Sequence, residues 1–109
     1  MAKTAKAHVT YTYKKHDYTF RFEYRYSFWH GFRAYIVEAP DYRGRSEDLH
    51  RTHRYRDGNQ FYICWNTKIR TREEMDAVAE LWSKATTMYI ANGGASIDDY
   101  VSAILNADH

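Results

Sequence analysis

The chain has 109 residues, enough for one domain, and a domain of this size buries roughly 65% of its unfolded surface without a disulfide or metal staple. Its single cysteine, Cys64, excludes a disulfide framework and a cysteine-rich zinc site. The formal net charge of +2 hides a split: residues 1–70 carry 14 Lys/Arg against 7 Asp/Glu, and residues 71–109 carry 2 against 7.

Residues 1–7 read as a weakly basic N-terminal tail, with a single domain over 8–109. The first strand follows, where Val9, Tyr11 and Tyr13 alternate with Thr10 and Thr12. Lys14 to Asp17 is the expected turn. Next comes the strongest pattern in the chain: Tyr18, Phe20, Phe22, Tyr24, Tyr26 and Phe28 alternate with Thr19, Arg21, Glu23, Arg25 and Ser27. Period two puts the aromatics on one face of a strand and the polar groups on the other. Such a strand would be roughly 35 Å long, so a bend, a bulge or a projecting end is expected. Trp29-His30-Gly31 reads as a turn, and a third strand runs from Phe32 to Ala39 until Pro40 stops it.

Residues 40–49 form a polar loop around Gly44. Two further strands, His50–Arg56 and Gln60–Trp65, flank Asp57-Gly58-Asn59, a hairpin signal. At Thr71 the period changes to 3.6. Thr71 to Glu74 fits a capping box, and Met75, Val78, Ala79, Trp82, Ala85 and Tyr89 form one stripe of a helix over 72–92 that Gly93-Gly94 ends. A short second helix begins at Ser96, with Ile97, Tyr100, Val101, Ile104 and Leu105 on its inner side. Strands first and helices after predict an α+β fold. It is an antiparallel meander sheet of four to five strands, followed by one long and one short helix packed on one face.

Two helices cover one face of such a sheet. The apolar face (Phe20, Phe22, Phe32, Ala34, Ile36, Phe61, Ile63, Trp65) is expected to take them. The other face would then present Arg21, Glu23, Arg25, Arg33, Tyr35 and Tyr62, joined by Arg51, His53 and Tyr55 if the registers hold. It reads either as a solvated face of cross-strand pairs or as a binding surface, since arginine forks and tyrosine rings suit anions, bases and protein hot spots. Arg43 and Arg45, flanking Gly44, are the candidate extension of that face from the loop.

Other chemistries lack support. His50 and His53 are an odd number of strand positions apart and point to opposite faces, so no metal site is expected. Cys64 sits in an apolar run and reads as a buried structural thiol. No glycine-rich phosphate loop precedes a helix, and helix-turn-helix, zinc-finger, basic-zipper and RNA-recognition strand patterns are absent. No apolar stretch suits a signal peptide or a membrane span. The sequence therefore predicts a soluble, cytoplasmic, non-enzymatic binding module without a cofactor. Its partner is a protein (a second copy of itself included) or nucleic acid. The alternative is a small enzyme with a site on the same face around His50, His53 and Glu23.

Overall fold

The structure, a computed structural model, describes residues 5–15 and 17–107. Five strands, β1 (Ala5–Lys15), β2 (Tyr18–Ser27), β3 (Gly31–Glu38), β4 (Arg54–Asp57) and β5 (Gln60–Ile63), precede two helices, α1 (Arg72–Asn92) and α2 (Ile97–Ala107). The strands form one antiparallel sheet in the order β1-β2-β3-β5-β4. This is the α+β arrangement the periodicities predict, although the sheet is not a plain meander: β5, not β4, lies beside β3. β1 begins inside the segment read as a tail, and residues 1–4 of that tail and His16 of the first turn lie outside the described residues.

The alternation in β2 orders the core. Phe20, Phe22 and Tyr24 are fully buried, while Arg21 between them is exposed. Phe22 faces Tyr11 on β1 and Ile36 on β3. The register between β2 and β3 shifts after Arg21, which pairs with Glu38, leaving Val37 as an extra residue on β3, so this bulge falls on the neighbouring strand and not in β2. The alternation does not run to Phe28, as its pattern suggests. The His30 N–H donates to Ser27 Oγ (3.0 Å), closing the turn early. Phe28 and Trp29 are left outside the sheet, 72% and 79% exposed.

The loop after β3 is not the polar surface connection that its composition suggests. Tyr42 is buried in the core, and Ser46 O accepts from the Tyr89 hydroxyl (2.8 Å). Residues 50–53, expected as strand, coil into turns with Leu49 instead. The Thr52 N–H and Oγ1 both donate to Asp48 O (2.9 Å each), and His53 takes a positive φ of 56°. β4 is therefore shortened to Arg54–Asp57 and β5 to Gln60–Ile63. In the hairpin, Asp57 pairs with Gln60, so Gly58 and Asn59 are its two loop residues and Gly58 alone of them takes positive φ.

α1 lays its predicted stripe on the sheet, with all six residues buried and Trp82 edge-on to Phe20 (5.8 Å) and Phe22 (5.9 Å). Thr71 caps it, its Oγ1 accepting from the Glu74 N–H (3.1 Å). The Glu74 carboxylate reaches one residue beyond the usual capping box and accepts from the Arg70 N–H (3.0 Å). Thr71→Ala is expected to cost about 1 kcal/mol, and Thr71→Ser to restore most of it, in urea unfolding midpoints. At the other end Arg45 donates to Ile90 O (3.1 Å) and Ala91 O (3.2 Å), and the Gly93 N–H to Tyr89 O (2.8 Å). On α2, Ile97 and Val101 are buried, but Leu105, expected inside, is exposed.

Candidate functional site

The face of the sheet away from the helices carries a row of side chains in register: Glu23 on β2, Tyr35 on β3, Tyr62 on β5 and Tyr55 on β4. Arg25 lies opposite Arg33 in the neighbouring row. Six predicted residues, Arg21, Arg25, Arg33, Tyr35, Tyr55 and Tyr62, are thus brought onto one surface. Much of that surface is covered by its own side chains. Tyr35 is only 4% exposed although no helix lies over it. The Arg25 guanidinium sits 3.9 Å above its ring, the Tyr62 ring packs at 5.2 Å, and its hydroxyl donates to Asp57 Oδ2 (2.7 Å). Burial, and then the hydrogen bond to Asp57, raise the Tyr35 phenol above its ordinary pKa.

The arginines differ in what they have left to offer. Arg21 Nε holds Glu38 (2.7 Å), and Arg25 holds Glu23 (2.9 Å) and Gln60 (3.1 Å). An anion binding there competes with a carboxylate already in place. Arg33 stacks 4.4 Å over the Tyr62 ring and makes only a long contact to the Tyr35 hydroxyl (3.4 Å). Among the described residues it forms no ion pair.

Arg33 also borders a groove absent from the sequence reading. β3 is tied to β5 at Tyr35 and Tyr62, and then to Ile69 through a parallel bridge at Gly31, where the Phe32 N–H donates to Ile69 O (2.8 Å). Between these ties the chain swings away from β3 and leaves a notch of about 270 Å³ through the sheet. Arg33 and Lys68 are the cations along it, His30 adds an imidazole, and no carboxylate among the described residues lines it. Trp29 and the half-exposed Tyr55 add rings at its rim. Lys68 Nζ donates to Phe28 O (2.7 Å), fixing the Phe28–Trp29 turn beside the notch. A second depression of about 220 Å³ adjoins it and shares His30 and Arg33 as its wall. In the sequence Trp29 and His30 mark only a turn, and nothing near Lys68 singles it out. An exposed aromatic pair ahead of a turn glycine was the available signal.

The remaining predicted residues lie elsewhere. Arg43 is exposed, 5.7 Å above the Tyr18 ring, and Arg45 is committed to the α1 carbonyls. The 40–49 loop therefore packs on the helix side and does not extend the Arg/Tyr face. Arg51 and His50 are exposed in the 49–53 turn, where Arg51 O accepts from the Ile97 N–H (2.8 Å). His53 turns to the helices: Nδ1 is 3.0 Å from Asp98 Oδ1, and its ring is edge-on to Trp65 at 6.1 Å. Burial holds its imidazole below the ordinary pKa, outweighing the pull of Asp98. His53 is thus on the opposite side of the sheet from Glu23, and the alternative site around His50, His53 and Glu23 is not assembled on one face. Cys64 is half-buried, its N–H donating to His53 O (3.0 Å).

No helix among the described residues is long and apolar enough to cross a membrane. Comparison with family models, curated protein sequences and solved structures finds no match to this chain.

Proposed function

We propose that the chain is a non-enzymatic binding module that holds an anionic partner in the notch between β3 and β5, with the Arg/Tyr face as its flank. One observation carries the reading. The notch is lined by Arg33 and Lys68, with His30 beside them and no carboxylate among the described residues, next to exposed rings, whereas Arg21 and Arg25 on the open face are already matched by carboxylates. A positive, concave site with ring surface beside it is what an anion needs. Part of the positive excess in residues 1–70 collects here.

Inorganic polyphosphate is the plainest probe, titrated at low salt and followed by tryptophan emission, since Trp29 stands at the rim. Arg33→Ala combined with Lys68→Ala is expected to weaken binding about tenfold or more, because each lost phosphate contact removes a counterion-release contribution. Arg21→Ala is expected to change it less than about twofold, because that side chain is spent on Glu38. Equal losses in the two variants, or no binding by the unmodified chain, would overturn the notch as the anion site.

A further inference from the structure

Resting on that reading, we infer that the partner is a single-stranded nucleic acid, gripped with a backbone phosphate on the His30–Arg33 ridge and neighbouring bases in the depressions on either side. The two depressions hold about 270 and 220 Å³ and share that ridge as their common wall. Each lies below the range of about 300–1,000 Å³ usual for a whole small ligand, so each suits one unit of a chain that continues beyond it. Charge and ring surface alternate across the pair. Trp29 and Tyr55 flank the first depression, His30 and the Arg33 guanidinium stand between, and Tyr35 lines the second. Nucleic acid strands alternate in the same way, with a π-face at each base and a charge between bases.

Asp57 separates this ligand from an acidic peptide. It lines the second depression, and its carboxylate, which accepts from Tyr35, has further lone pairs to offer. A glutamate or aspartate side chain entering there meets like charge and finds Arg25 already held by Glu23. A base brings amino or imino N–H donors and no charge. The rings favour a single strand over a duplex, because they stack on unpaired base faces. Trp29 is 79% exposed, with the Phe28 ring edge-on to it at 5.3 Å.

The test uses the whole chain and fluorescein-labelled oligomers read by polarisation at low salt. They are an eight-residue oligothymidylate, an abasic eight-mer with the same phosphates, the corresponding duplex, and an oligoglutamate of equal charge. Oligothymidylate is expected to bind at least about tenfold tighter than the abasic strand. Trp29→Ala, which removes an exposed side chain, is expected to erase most of that preference. If the abasic strand or oligoglutamate binds as tightly as oligothymidylate, or if the duplex binds tighter, the nucleic-acid inference fails while the anion site stands. If no polyanion binds, the anion site fails with it.

Discussion

Trp82→Ala is expected to lower the unfolding free energy by about 3–5 kcal/mol, the range for removing a large aromatic from a core. A domain of this size has about 5–15 kcal/mol in total, so the variant should be largely unfolded on mild warming. Trp82 is fully buried and stands edge-on to Phe20 and Phe22, which are fully buried themselves. It is therefore the contact through which α1 holds the middle of the sheet. The indole N–H also donates to Thr52 O (3.1 Å), in the turn that leads to β4. Alanine leaves both a cavity and an unmatched buried carbonyl. Trp82→Phe keeps a ring and loses the donor, and about 1–3 kcal/mol is expected for it. Guanidinium unfolding midpoints at constant slope measure both. A loss below about 1 kcal/mol for the alanine variant would contradict the packing described here, given the cavity it must leave.

Gly31→Ala carries the second large effect, expected at about 2–4 kcal/mol from two costs that add. The backbone at Gly31 has φ of 73°, which a β-carbon disfavours. A β-carbon there would also run into the Ile69 carbonyl oxygen and lie 2.9 Å from Lys68 Cγ. Gly58→Ala is the control, because its φ is 62° but nothing lies within 4 Å of the added atom. Its expected cost is about 1 kcal/mol, from the backbone alone. The difference between the two variants measures the crowding at the Gly31–Ile69 tie. Hydrogen exchange at the Phe32 amide, which donates to Ile69 O, should accelerate in Gly31→Ala and not in Gly58→Ala.

The parts of this fold that are legible in the sequence are those whose signal is local. The alternation from Tyr18 to Tyr26, the 3.6-residue stripe of α1 and the Thr71 cap can each be read without knowing the rest of the chain. The 49–53 turn is also held by short-range bonds, but Thr52 is a strand-favouring residue type, and positive φ at a histidine is uncommon. The placing of β5 between β3 and β4 depends on the path of residues 39–53 beneath the helices, which no pattern in that segment reveals. The Arg/Tyr face follows from alternation, so Arg21, Arg25, Arg33, Tyr35 and Tyr62 could be placed together. Which of them keep free donors could not be read, because that depends on Glu23, Glu38 and Gln60 across the sheet. The notch is harder still: it arises where residues 64–68 fail to pair with β3, and a missing pairing belongs to no single residue.

The end of α1 has a consequence for how the protein folds. Its last turn contains no basic residue, and the cation that meets its carbonyls comes from Arg45, 45 positions from Ile90 along the chain. Cut out as a peptide, the helix would fray at this end, because the group that closes it is supplied only when the 40–49 segment docks. The same segment gives Ser46 O to Tyr89 and Tyr42 to the core. Helix completion and loop docking are therefore one cooperative event, and a stretch that resembles a tolerant surface connection should respond to substitution as an interior segment does.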